Sequence, residues 1–228
     1  MDIIERLSQE LSIKRAQAEA AVGLIDEGNT IPFIARYRKE VTGSLDDEQL
    51  RALEDRLNYL RGLEKRKEEV RSAIEEQGKL TLEIEEALAA AQILAEVEDI
   101  YRPFKQKKKT RASVAREKGL LPLAELLLSQ EKRYTPDLET VAASYIDEEK
   151  KIASAKDALN GAMDIIAEII SDDADYRKDI RALTYEHALF SVKQAKDEDS
   201  VYSMYYDYGE KLSEIPHHRI LAINRGEK

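Results

Sequence analysis

Leu50, Leu53, Leu57, Leu60, Leu63, Val70 and Ile74 recur at spacings of three, four, three, three, seven and four, with charged side chains filling most of the intervals. That is close to a heptad seam, the pattern of one long helix with a single apolar stripe. Ser44 or Asp46 supplies an N-cap and Gly78 a stop, so the helix is expected over residues 46–77. At 1.5 Å per residue it would run roughly 48 Å, a strut along which other helices pack.

Helical periodicity extends through most of the chain. Ile3, Ile4, Leu7 and Leu11 share one face of a first helix. A second is expected from Ser12, as N-cap, to Gly28, as stop. A third opens behind Thr30 at Ile31-Pro32, because proline suits a first helical turn, and ends near Glu40. Further helices are expected over 81–93, 94–101, 111–118, 120–129, 137–145, 151–173 and 175–190, with a last one from Pro216 to Gly226. Pro103 breaks the chain after Tyr101. In 151–173 the buried face is expected to hold Ile152, Ala155, Leu159, Met163, Ile166 and Ile170. Residues 200–208 alternate weakly, as an extended segment does, and no Asn-Gly or Asp-Gly hairpin signal occurs. The expected fold is all-α: an elongated multi-helix bundle with a long central helix and an N-terminal helix-turn-helix-like unit. Its expected parts are that unit at 1–45, a helical scaffold at 46–199 with a basic connection at 102–118, and a tyrosine-rich segment at 200–228.

Composition narrows the function classes. Of 228 residues 43% are hydrophobic, enough for a packed core, and 9 Gly and 5 Pro are few, as long regular elements require. No cysteine excludes a disulfide framework, a thiolate metal site and a cysteine nucleophile, and fits a reducing compartment. The longest unbroken apolar run, Ala87–Ala91, is five residues, too short to span a membrane, and the acidic start Met1-Asp2-Ile3-Ile4-Glu5 has no signal-peptide core. The end, Arg225-Gly226-Glu227-Lys228, has no polar tail, as expected of part of a longer protein.

Net charge is −10, which disfavours general binding to polyanions, but its distribution is uneven. Residues 1–101 carry 14 basic and 23 acidic side chains, residues 119–228 carry 14 and 22, and residues 102–118 carry 8 and 1. Arg102, Lys105, Lys107, Lys108, Lys109, Arg111, Arg116 and Lys118 make this a candidate phosphate-contacting strip, since each phosphate contact releases a condensed counterion. Tyr101 and Phe104 flank it as candidate stacking groups. The alternatives are a solvated loop or a strip docked on Glu96, Glu98 and Asp99. A second candidate is the hairpin 13–40, outlined like a helix-turn-helix, with Arg36, Arg38 and Lys39 on its second helix. A packing hairpin has the same outline, and Asp26, Glu27 and Glu40 stand close in sequence. Tyr202, Tyr205, Tyr206 and Tyr208, with Tyr176 and Tyr185 upstream, suit a half-buried core or an interface. No P-loop, GxGxxG, GxSxG, HExxH or EF-hand spacing is present, so no catalytic residue, metal or cofactor is expected and the chain is not read as an enzyme.

Several stretches together resemble one family. They are Asn29-Thr30-Ile31-Pro32-Phe33-Ile34-Ala35-Arg36-Tyr37-Arg38-Lys39-Glu40-Val41-Thr42-Gly43, Leu45-Asp46-Asp47-Glu48-Gln49-Leu50, Ile100-Tyr101-Arg102-Pro103-Phe104-Lys105, Ala115-Arg116-Glu117-Lys118-Gly119-Leu120, Ala158-Leu159-Asn160-Gly161-Ala162-Met163-Asp164 and Ile215-Pro216-His217-His218-Arg219. In this order they are similar to the N-terminal region of the bacterial Tex family of transcription accessory proteins, over essentially the whole chain. The resemblance implies a cytoplasmic multidomain protein that binds nucleic acid, RNA or DNA, without sequence preference. In it a helical N-terminal region with a helix-turn-helix-like unit precedes a YqgF-type domain, helix-hairpin-helix modules and an S1 RNA-binding domain. This chain would then be a scaffold that positions those modules, with the transcription machinery among its partners and no membrane association. The rival expectation is a protein-interaction scaffold that makes no nucleic-acid contact of its own.

Overall fold

The computed structural model describes residues 2–105, 109–130, 137–195, 198 and 200–227. It is mainly α-helical, with twelve α-helices among the described residues and one two-stranded sheet, and divides into compact units at 1–104 and 105–228.

In the first unit the long helix is α4 (Asp47–Glu75). Asp46 caps it with a reciprocal box: its carboxylate accepts from the Gln49 N–H at 2.8 Å, and the Gln49 side chain accepts from the Asp46 N–H at 3.1 Å. Gly78 ends it at φ +67°, a conformation that costs glycine little. Every seam residue is at most 2% exposed. The gap of seven between Leu63 and Val70 is filled by Lys67, which is buried, with Nζ 3.0 Å from the Glu64 carboxylate and donating to the Ala89 carbonyl. A charge is tolerated in the seam because both partners are within reach.

α1 (Ile3–Glu10), α2 (Arg15–Asp26) and α3 (Ile31–Tyr37) bury Leu7, Ala18, Ala21, Val22, Ile31 and Ile34 against Leu50, Leu53, Leu57 and Leu60 of α4. α5 (Leu82–Ala90) and α6 (Leu94–Tyr101) cover its other half, where Leu63, Val70 and Ile74 meet Leu88, Ala91 and Val97. The expected boundary at residue 45 does not coincide with a division of the structure, because α4 shares one core with α1–α3. Two ends differ from expectation. Ser12 has φ +53°, so it turns the chain and Lys14 is the N-cap of α2. α3 stops at Tyr37, where the following turn is tied by buried Thr42 donating to the Arg38 carbonyl and by Gln17 donating to the Gly43 carbonyl.

The second unit centres on α10 (Ala155–Asp172). α7 (Arg111–Glu117), α8 (Leu121–Ser129) and α9 (Leu138–Ala143) pack on it. The fully buried apolar residues of α10 are Ala158, Ala162 and Ile165; of the face expected, Ile152 is buried and Ala155, Leu159 and Ile166 pack at the edge of the core, but Met163 is 54% and Ile170 46% exposed. The alanines are buried by close approach: a Cβ on Gly161 would run into Leu120 and the Ala115 methyl. The helix begins at 155 rather than 151, because Ile152 is held with Asp147 in a short antiparallel bridge. α11 (Ala174–His187) follows, then β1 (Leu189–Lys193), which pairs antiparallel with β2 (Asp207–Lys211), Leu189 opposite Lys211. The fold is mainly α, as expected, with this one small sheet beside the helices among the described residues. Leu189 and Phe190 belong to a strand, and of the expected extended segment 200–208 only its end is in β2, with Ser203–Tyr205 forming a 3₁₀ turn. α12 (His217–Gly226) ends the described chain.

Two glycine substitutions should have opposite signs. Gly161→Ala should destabilise by about 1 kcal/mol, overpacking outweighing the helix preference for alanine. Gly62→Ala on α4, where an added Cβ meets nothing within 4 Å, should stabilise by about 0.5–1 kcal/mol. Denaturation midpoints that move in the same direction for both would reject the close α7–α8–α10 contact.

Glu10 gives a pH signature. Arg56 Nε and Nη2 lie 2.5 and 2.9 Å from its oxygens and Arg6 Nε 2.8 Å, and the Arg56 hydrogen bonds, ahead of those from Arg6, hold the carboxyl at about 2 instead of 4.5. A depressed native pKa stabilises above the unfolded value and is lost as pH falls through the native one. The stability difference between wild type and Glu10→Gln should therefore be full above about pH 4.5 and shrink toward pH 2; a pH-independent difference would contradict it.

Candidate nucleic-acid interface

The described members of the basic strip fall in both units. Arg102 lies in the first unit, in the 3₁₀ turn Arg102–Phe104 forced by Pro103. Lys107 and Lys108 lie outside the described residues. Lys109, Arg111, Arg116 and Lys118 surround α7 in the second unit, with Lys105 at that unit's start.

Local sequence explains how α7 presents them. Thr110 caps the helix, its hydroxyl accepting from the Ser113 N–H at 3.0 Å while the Ser113 hydroxyl accepts from the Thr110 N–H at 2.9 Å. The Thr110 hydroxyl also donates to Glu168 of α10 at 3.0 Å. Arg116 pairs with the same carboxylate, which is only 14% exposed. Arg116 is thus a clamp between α7 and α10, and a mostly buried anion needs it there. Arg116 is docked within its own unit, on Glu168; among the contacts of α6, Arg66 reaches Glu98 at 2.7 Å.

Lys109 and Arg111 face outward, while Lys118 is half-buried. The Arg111 side chain is 88% exposed, reaching Asp164 at only 3.4 Å, and Lys109 is 69% exposed, 3.5 Å from Glu117. Lys118 Nζ donates to the Lys151 carbonyl at 2.9 Å. Lys109, Arg111, Lys118 and Lys151 line an open groove of about 560 Å³ together with Asn160 and Asp164. Such a groove can take a phosphate backbone, with exposed and weakly paired cations at its mouth. Lys151 escaped the sequence reading because 33 residues separate it from Lys118, and no spacing rule joins them.

In the first unit Arg36 lies on α3, whereas Arg38 and Lys39 follow its end. All three are exposed. The Arg38 guanidinium lies 5.3 Å from the centroid of Phe33, whose ring is 5.3 Å from that of Tyr37 at a 47° tilt. Phe33 and Tyr37 were not singled out by sequence, although an apolar face ending in exposed aromatics was a usable signal. The acidic neighbours are partly neutralised: Arg61 grips Asp26 at 2.7 and 2.8 Å, and its hydrogen bonds hold that carboxyl below the usual range.

The tyrosines of 202–208 are half-buried, whereas Tyr176 and Tyr185 of α11 are 54% and 62% exposed and do not join them in a core. Tyr205 and Tyr208 meet edge to face at 5.4 Å, Tyr206 donates to the Glu198 carbonyl at 2.6 Å, and Tyr208 binds Glu210, which Arg219 of α12 reaches at 2.8 Å. They join strand to helix.

Known proteins align with this arrangement. The family described as Tex-like protein N-terminal domain matches residues 1–75, and that described as Tex central region-like matches 133–228, well over half of the chain between them. The chain is 44% identical over 229 residues to the transcriptional accessory protein Tex of Neisseria gonorrhoeae, covering 99% of this chain and 30% of that protein. It is 44% identical to the protein tex of Bordetella pertussis, covering 99% and 29%, and 31% identical to the human S1 RNA-binding domain-containing protein 1, covering 99% and 23%. The chain therefore spans less than a third of the length of these curated relatives, and it belongs to the Tex family, of which it carries the N-terminal domain and the central region.

Proposed function

We propose that the chain is a non-catalytic helical scaffold of a cytoplasmic transcription accessory protein that binds nucleic acid without sequence preference. The α7–α10 groove adds phosphate contacts of its own. The observation that carries this reading is that four cations, Lys109, Arg111, Lys118 and Lys151, line one groove of an acidic chain against two carboxylates, Asp157 and Asp164. The names of the relatives support the wider role: one is a transcriptional accessory protein and another contains an S1 RNA-binding domain. The helix-turn-helix-like role of α2 and α3 belongs to the same proposal, as does a preference for partners in the transcription machinery.

A second reading, a surface for protein partners, is favoured by α11. It has no buried residue, and Tyr176, Ile180 and Leu183 are each more than half exposed at spacings of four and three. Salt separates the two readings, because phosphate contacts weaken steeply with it and an apolar interface does not.

The test is fluorescence anisotropy with single-stranded RNA and duplex DNA at about 50 and 200 mM salt. Binding should fall with salt. Removing Lys109, Arg111 and Lys118 together as alanines should lower the slope of log K against log salt by about 0.7 per lost contact on single strands and about 0.9 on duplex. An unchanged slope would remove the groove from the function. Incubation of labelled strands with magnesium or manganese should leave them intact; metal-dependent cleavage that copurifies with the chain would overturn the non-catalytic role.

A further inference from the structure

α3 contributes two residues to the core, Ile31 at 4% and Ile34 at 0% exposure. Its opposite side is left to solvent, yet it is not polar. Phe33 is 36% and Tyr37 62% exposed, one turn apart on the same stripe, with their rings in contact. Arg38, just past the helix end, folds its guanidinium back over the Phe33 ring. Tyr37 is mostly in solvent, and an aromatic pair at this spacing does not account for the cations beside it.

Arg36 stands apart from the arginines of the neighbouring helices. Every arginine on α1, α2 and α4 is held by at least one carboxylate. Arg36 and Lys39 have no partner among the described residues, although acidic side chains outnumber basic ones by 46 to 36 in the chain. Two unpaired cations beside two exposed rings call for an occupant that supplies both anionic groups and flat faces. Single-stranded nucleic acid does so in one polymer: phosphates for Arg36 and Lys39, unstacked bases for Tyr37, Phe33 and the Arg38 plane. A duplex hides its base faces, and an acidic peptide offers charge without planar rings.

We propose that Phe33, Tyr37 and Arg38 form a stacking platform for one or two bases of a single strand, with Arg36 and Lys39 on the flanking phosphates. The site lies wholly in the first unit and shares no residue with the α7–α10 groove. It rests on the nucleic-acid reading above and names the form of the ligand.

The test uses this chain and a single-stranded oligonucleotide within the usual reach of such sites, about 4–16 nucleotides, carrying 2-aminopurine, beside an abasic strand of equal length. Stacking should quench the 2-aminopurine. Tyr37→Ala should weaken binding by about fivefold to a hundredfold, the span expected for losing one stacked base, and Tyr37→Leu should weaken it similarly despite keeping apolar area. Neither substitution should alter affinity for the abasic strand. Arg36→Gln with Lys39→Gln should weaken both strands and lower the salt slope. Tyr37 is mostly exposed, so circular dichroism should show the helices intact. Unaltered binding and quenching in Tyr37→Ala would overturn the platform; if binding were then lost on removing Lys109, Arg111 and Lys118, nucleic-acid binding would stand without it. No salt-sensitive binding by the wild type would sink both. Displacement of the strand by polyglutamate at equal charge concentration would assign the patch to an acidic protein and overturn the proposal.

Discussion

One apolar stripe on α4 is the surface against which the rest of the first unit is buried. Its first half anchors α1, α2 and α3, and its second half anchors α5 and α6. Small helices such as α3, seven residues long, are far below the length at which a helix persists alone. They exist because each lays one or two large side chains on this template, a contribution of about 1.5–3 kcal/mol per fully buried leucine or isoleucine. The exposed patch on α3 and its placement are therefore consequences of Ile31 and Ile34 finding α4.

The stripe was legible in sequence because leucines at helical spacing have no other use so consistent. The α10 face was not, and the reason is instructive. Hydrophobicity ranks Met163 and Ile170 above Ala158 and Ala162, but proximity ranks them the other way. Gly161 lets α10 come against Leu120 and Ala115, so the small Ala158 and Ala162 are buried there beside Ile165. The sheet was missed for a different reason. β2, Asp-Tyr-Gly-Glu-Lys, is polar, and no tight turn connects it to β1, so its pairing is a long-range event that leaves no local mark.

The candidate sites divide similarly. The charge run at 102–118 was plain, but which members face solvent depends on residues about fifty positions away. Glu168 takes Arg116 inward, while Asp164 holds Arg111 only loosely. On α3, sequence pointed to the cations and passed over the rings beside them. Spacing shows which residues share a helix face; it does not show which of two faces will be left uncovered.

The shared template also has a dynamic consequence. Leu60 belongs to the cluster of α1–α3 and Leu63 to that of α5 and α6, so the middle of α4 lies under both. Backbone amides there can reach water only when both sets of helices have detached, which amounts to unfolding the unit. The start of α5, where Leu82 is 66% exposed, can open alone. Amide exchange should thus be slowest around residues 60–63 and grade outward in both directions, making the centre of the helix, rather than either helical cluster, the last place where the unit lets go.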